Sequence, residues 1–121
     1  MKVLSVRQPW TWLLVNGFKN VENRTKPTRV RGRVLIHASL GMTHEEYEAC
    51  QLFVSTFSGL ILPNFECLPR GGIVGSVEIL DCVQNHSSEW FTGPYGYVMD
   101  DAKVLPFRAC KGQLGFWEYR L

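Results

Sequence analysis

Residues 73–83 read Ile-Val-Gly-Ser-Val-Glu-Ile-Leu-Asp-Cys-Val (IVGSVEILDCV), and they follow Arg70-Gly71-Gly72. The run is rich in β-branched residues and opens behind a turn signal, so it reads as a strand, the longest in the chain. Gly75 sits inside it and marks either a bulge or a point of close backbone approach. Glu78 is flanked by Val77 and Ile79. It points to solvent or is buried against a cation such as Arg7 or Lys19.

The rest of the predicted fold flanks this strand on both sides in the sequence. Upstream, Pro63 and Pro69 mark an irregular connection, and His44–Phe57 reads as a helix. Thr43 and Glu46 have capping-box spacing. Tyr47, Cys50, Val54 and Phe57 recur on one face. Downstream, His86–Pro94 reads as a loop, and Tyr95–Met99, Ala102–Phe107 and Leu114–Tyr119 read as three strands, with Asp100-Asp101 as a hairpin turn. At the N-terminus, Val3–Arg7 reads as a first strand. Gln8-Pro9 then opens a short helix, with Trp10, Leu13 and Leu14 on one face and Gly17 as its stop. Lys26-Pro27 is a turn, and Arg33–Ser39 is a strand with an apolar centre. Six short strands and two helices predict an α+β domain, a mostly antiparallel β-barrel with two helices packed at its side.

The chain has 121 residues, enough for one domain spanning 1–121 with a real core. Its 45% apolar and 20% charged composition is that of a soluble globular protein. No apolar run approaches the ~20 residues of a membrane span. Arg7 interrupts the first apolar stretch, so a signal peptide is not expected, and a cytoplasmic location is. The four cysteines, Cys50, Cys67, Cys82 and Cys110, are scattered without a CxxC pair. Reduced thiols are expected, with no metal and no cofactor.

The net charge of +2 conceals an asymmetry. Residues 1–40 sum to +7, residues 41–107 to −7 and the last fourteen to +2. The basic cluster includes Lys26, Arg29, Arg31 and Arg33, and it predicts a positive face suited to phosphates. Within it, Gly17–Arg24 reads GFKNVENR. Glu22 and Arg24 share one face of a strand, whereas Lys19 joins them only if the chain bends near Asn20. Such a grouping suits a polar planar ligand. It also fits exposed surface charges or a structural ion pair.

Arg7-Gln8-Pro9-Trp10, Gly17-Phe18-Lys19 with Glu22 and Arg24, Arg31-Gly32 with Leu35-Ile36-His37-Ala38-Ser39, Gly72-Ile73-Val74-Gly75 and the ending Lys111–Trp117 together resemble an ASCH (activating signal cointegrator 1 homology) domain. The resemblance covers essentially the whole chain. It implies a PUA-like β-barrel with a cleft beside the first helix, an association with RNA or other nucleic acid, and a place for Lys19, Glu22 and Arg24 in that cleft. Some relatives are small amidohydrolases that act on N(4)-acetylcytidine, and others are nucleases. Their amidohydrolase motif would make Lys19 the base, but Glu22 stands where their nucleophilic Thr is expected, so Glu22 would have to activate a water.

The ligand set expected from residues and resemblance together is Arg7, Gln8, Trp10, Lys19, Glu22, Arg24, Lys26, Arg29, Arg31, Arg33, His37 and Ser39. The cations would meet phosphates. Glu22 would accept from the amine of cytosine. Trp10, or Trp12 in its place, would stack on a base. The expected partner is RNA, another nucleic acid or a nucleoside-like molecule. An enzymatic role and a protein-interaction role stand as alternatives.

Overall fold

In chain order the elements are β1 (Lys2–Val6), α1 (Trp10–Val15), β2 (Val21–Arg24), β3 (Gly32–Ala38), α2 (His44–Ser55), a single 3-10 turn at Phe65–Cys67, β4 (Gly72–Val83), β5 (Tyr95–Ala109) and β6 (Phe116–Glu118). They come from a computed structural model that describes residues 1–120. The six strands form one sheet in the order β2-β5-β4-β3-β1-β6. Only β1 and β3 run parallel; every other pairing is antiparallel. The sheet curls into a half-barrel, the PUA-like α+β architecture expected from the sequence.

β4 is the spine of this sheet, as its length and composition predict. It pairs with β3 on one side and β5 on the other. Both readings of Gly75 hold. The register with β5 shifts between Ile73 and Gly75. A Cβ at Gly75 would stand 2.5 Å from the Lys103 carbonyl oxygen and 2.6 Å from a Val15 methyl, so α1 lies directly on this strand.

The strand count is six, but the set differs from the expected one. Tyr95–Met99 and Ala102–Phe107 are not two strands joined by a hairpin; they are one fifteen-residue strand. Asp101, at φ 48°, sits where the β4–β5 register shifts between Ser76 and Glu78. The Asp-Asp pair therefore makes a bulge, which uses the same tolerance of the left-handed region that a turn would use. The sixth strand is β2, whose charged residues hide its strand character.

Three apolar clusters position the elements. Leu4, Val6, Leu14, Val34, Ile36, Val77 and Ile79 fill the space between the sheet and α1. Leu13, Val21, Cys50, Val54, Leu62 and Trp90 join α1, α2 and the loop before β5. Val3, Leu35, Ile73 and Trp117 cover the opposite sheet face, alternating with the first cluster along β1 and β3. Trp10 packs against both of the first two clusters, so α1 is a wedge between sheet and α2.

The expected start of α2 is present. Thr43 Oγ1 accepts from the Glu46 amide at 3.1 Å, and the Thr43 amide donates to Glu46 Oε1 at 3.2 Å. Among the described residues no helix is long and apolar enough to cross a membrane.

Candidate functional site

The site begins where α1 ends. Gly17, at φ 79°, turns the chain back, and the amides of Phe18 and Lys19 both donate to the Leu13 carbonyl. This is the bend that Lys19 needs to reach the face of Glu22. Lys19 Nζ donates to the Val21 carbonyl at 2.6 Å and to Glu22 Oε1 at 2.7 Å. From the other side Arg24 donates to Glu22 Oε2 through Nε at 3.0 Å and Nη2 at 2.9 Å, and Nη2 also reaches the Ser5 carbonyl at 2.9 Å. Glu22 is thus clamped between two cations, and its side chain is only 10% exposed. Burial alone would push its carboxyl up. The Lys19 and Arg24 charges and hydrogen bonds outweigh burial and hold it below the usual range.

Lys19 and Glu22 of this network form the floor of a cavity of about 430 Å³ that is also lined by Trp10, Asn23, Ala49, Phe53, Trp90 and Thr92. That size falls in the range of small-molecule sites, roughly 300–1,000 Å³. The walls are aromatic: Trp10 and Phe53 meet edge to face at 6.1 Å, and Phe53 and Trp90 at 5.9 Å. Lys19 Nζ lies 5.8 Å from the Trp10 ring centroid, within cation–π reach. Asn23 fixes the rim. Its Nδ2 donates to the Trp90 carbonyl, and its Oδ1 accepts from the amides of Thr92 and Gly93.

A count of donors and acceptors defines what the floor offers. A lysine ammonium has three N–H donors, and two are used here. A carboxylate has about four acceptor sites, and three are used here. One donor on Lys19 and one acceptor site on Glu22 remain, on side chains that both line the aromatic cavity, and Lys19, Glu22 and Arg24 together carry a net single positive charge.

Of the expected ligand set, Trp10, Lys19 and Glu22 line this cavity, and Arg24 supports it from behind. The others lie elsewhere. Gln8 is buried and acts as a strut: Nε2 donates to the Pro69 carbonyl at 2.9 Å, and Oε1 accepts from the Trp12 amide at 3.0 Å. Arg7 pairs with Glu46 through two bonds. Arg31 pairs with Asp81 at 3.6 Å. Arg33 pairs with Asp101 and, at 3.4 Å, with Glu78, so Glu78 faces Arg33 rather than Arg7 or Lys19. Lys26 and Arg29 are exposed, and no ion pair holds either among the described residues. His37 and Ser39 line a second cavity with Ser5, Leu40 and residues 110–114. There His37 Nε2 lies 2.8 Å from the Cys110 carbonyl, and the ring meets Trp117 edge to face.

The basic cluster therefore does not converge on one cleft. Arg31 and Arg33 are matched by acids from later in the chain, whereas Arg29 is not paired among the described residues. Sequence reasoning also missed Asn23, Ala49, Phe53, Trp90 and Thr92. Asn23 had a local signal in its place between Glu22 and Arg24. Phe53 and Trp90 had none, because α2 and the loop before β5 reach the site only through tertiary packing.

Residues 4–106 match the family model of the ASCH domain. Activating signal cointegrator 1 from Homo sapiens is 36% identical over 81 residues, and its counterpart from Mus musculus is 37% identical over 83 residues. Each alignment covers 66% of this chain and 14% of the relative, so the chain spans about one seventh of the length of the curated relatives it matches.

Proposed function

This chain belongs to the ASCH domain family, whose PUA-like members are generally RNA-binding, and from that premise we propose that the Trp10–Trp90 cavity holds a single nucleobase, splayed from RNA or offered as a free nucleoside. The observation that carries the proposal is the buried Lys19–Glu22–Arg24 network beneath aromatic walls. A buried ion cluster of this kind is costly to build for stability alone. It becomes useful when its spare donor and acceptor face a ligand edge. A cytosine-like edge, with a ring or carbonyl acceptor beside an exocyclic amine, matches a Lys19 N–H beside a Glu22 oxygen. Trp10, Phe53 and Trp90 supply the apolar contact.

Trp10 and Trp90 also report occupancy. A titration of short single-stranded RNA, and of cytidine, should quench their fluorescence to saturation. Lys19→Met keeps much of the side-chain volume and removes the donor. It should lose the quenching while circular dichroism stays that of the wild type. Saturable binding that survives Lys19→Met, or no binding by either ligand, would refute the proposal.

Hydrolysis would draw on the same pair, with Glu22 as base for a water. A carboxylate held below its usual pKa, with three acceptor sites occupied, is a weak base near neutral pH. Binding is therefore the reading we adopt. Release of acetate from N(4)-acetylcytidine, abolished in Glu22→Gln, would overturn that choice.

A further inference from the structure

We propose that the depression lined by Phe18, Phe57, Leu60 and Trp90 is a second subsite, one that stacks the base next to the one held in the Trp10–Trp90 cavity. The inference rests on the nucleobase reading above and extends it from one ring to two.

The depression has a volume of about 400 Å³, and its remaining lining residues are Ser58 and Gly59. It adjoins the first cavity at Trp90, which lines both. The aromatic ladder is unbroken: Phe53 meets Trp90 at 5.9 Å, Trp90 meets Phe57 at 5.0 Å, and Phe57 meets Phe53 at 5.3 Å. Phe18 stands at the outer edge and is 46% exposed. Its ring rests on Trp12, with centroids 5.4 Å apart and planes tilted by 31°. An exposed ring backed by a second ring is held in place and needs little ordering when a ligand arrives.

Phe18 and Lys19 are neighbours in sequence, yet the Gly17 turn sends them apart. Lys19 goes into the first cavity and Phe18 to the second depression, so adjacent residues serve adjacent rings.

The chemistry of the lining restricts the occupant. No charged side chain lines the depression, so it offers nothing to a phosphate and suits the neutral face of a ring. Ser58, the only hydroxyl there, donates to the Val54 carbonyl and accepts from the Leu60 amide. With that donor committed, the Trp90 indole N–H is the one side-chain donor of this lining that has no hydrogen-bond partner among the described residues, so contact there is chiefly through ring faces. The second subsite takes any base, whereas the first selects by its donor and acceptor.

The test compares cytidine 3′-monophosphate with dinucleotides whose second base is varied, read by tryptophan quenching and by calorimetry. The dinucleotide should bind at least about five-fold tighter, the lower end of a stacking contact. The gain should depend little on which base is added. Phe18→Ala should remove it and leave the mononucleotide unchanged, whereas Phe18→Tyr should keep it. Equal affinity for the two ligands in the wild type overturns the second subsite alone. So does a Phe18→Ala variant that weakens both ligands by the same factor. Failure of both ligands to bind overturns the nucleobase reading, and this inference with it.

Discussion

Glu22→Gln is the sharpest perturbation of this structure. The carboxylate accepts three bonds from two cations, at 2.7, 3.0 and 2.9 Å. Glutamine keeps the shape but brings one acceptor oxygen and one amide donor. If the oxygen faces Arg24, the amide faces Lys19 Nζ, and a donor then meets a donor. Two cations are left without a counter-charge, one of them on a side chain only 4% exposed. Breaking a buried ion pair from one side costs about 3–5 kcal/mol. For a domain of this size that lowers Tm by roughly 10–20 °C.

The pH dependence gives an independent check. The folded Glu22 carboxyl lies below its ordinary value of 4.5, so its contribution is complete above that value. It is lost as pH falls through the lowered folded value. The gap between wild type and Glu22→Gln should therefore be constant from pH 8 to about 5 and close progressively in more acid solution. Thermal or urea unfolding from pH 8 to pH 2 measures it. A gap below about 1 kcal/mol at pH 7, or wild-type and variant profiles that stay parallel into acid, would refute the clamped carboxylate.

Three further outcomes follow from packing and burial. Gly75→Ala should cost at least about 1–3 kcal/mol in urea unfolding, because its new Cβ would stand 2.5 Å from a backbone oxygen and 2.6 Å from Val15, so backbone has to move. Thr43→Ala removes one side of the capping box and should cost about 1 kcal/mol in the same assay, with no change in ligand binding. A thiol reagent at pH 8 should label exposed Cys67 in the folded protein and spare Cys50, which is fully buried and whose thiol burial pushes up to about 12; denaturant should make both react.

Where the sequence was readable, local chemistry and tertiary context agreed. The β4 run is mostly apolar from Ile73 to Val77 because that part is buried inside the sheet, and Thr43-x-x-Glu46 caps a helix whatever surrounds it. The Asp100-Asp101 pair misled because left-handed backbone serves a turn and a bulge equally well. What separates the two is whether β4 continues alongside, which is information from distant residues. β2 was obscured in the opposite way. Its inward face carries Glu22 and Arg24, so its polar pattern is that of a solvated segment although Glu22 is buried. At the site, Lys19, Glu22 and Arg24 were legible because they solve a local problem within six residues. Phe53 and Trp90 were not, because a wall shared by α2 and a loop leaves no spacing in the sequence.

The fate of the charge asymmetry decides how strongly salt should act on binding. The first forty residues carry +7 and the middle segment −7, which taken alone suggests a strong positive face. Folding cancels much of it by joining Arg7 to Glu46, Arg31 to Asp81, and Arg33 to Glu78 and Asp101. Each exposed pair contributes little to stability. Together they leave Lys26 and Arg29 as the cations of that cluster with no acidic partner among the described residues. Each neutralised phosphate on a single strand adds about 0.7 to the salt slope, so two such contacts give a log–log slope no steeper than about −1.5. Affinity should then come mainly from the aromatic cavity and fall only modestly between 50 and 200 mM salt. Lys26→Ala with Arg29→Ala should flatten the remaining slope without abolishing binding. A slope near −4 in the wild type would mean that the arginines exchange their acidic partners for phosphates, and the basic segment rather than the cavity would then dominate recognition.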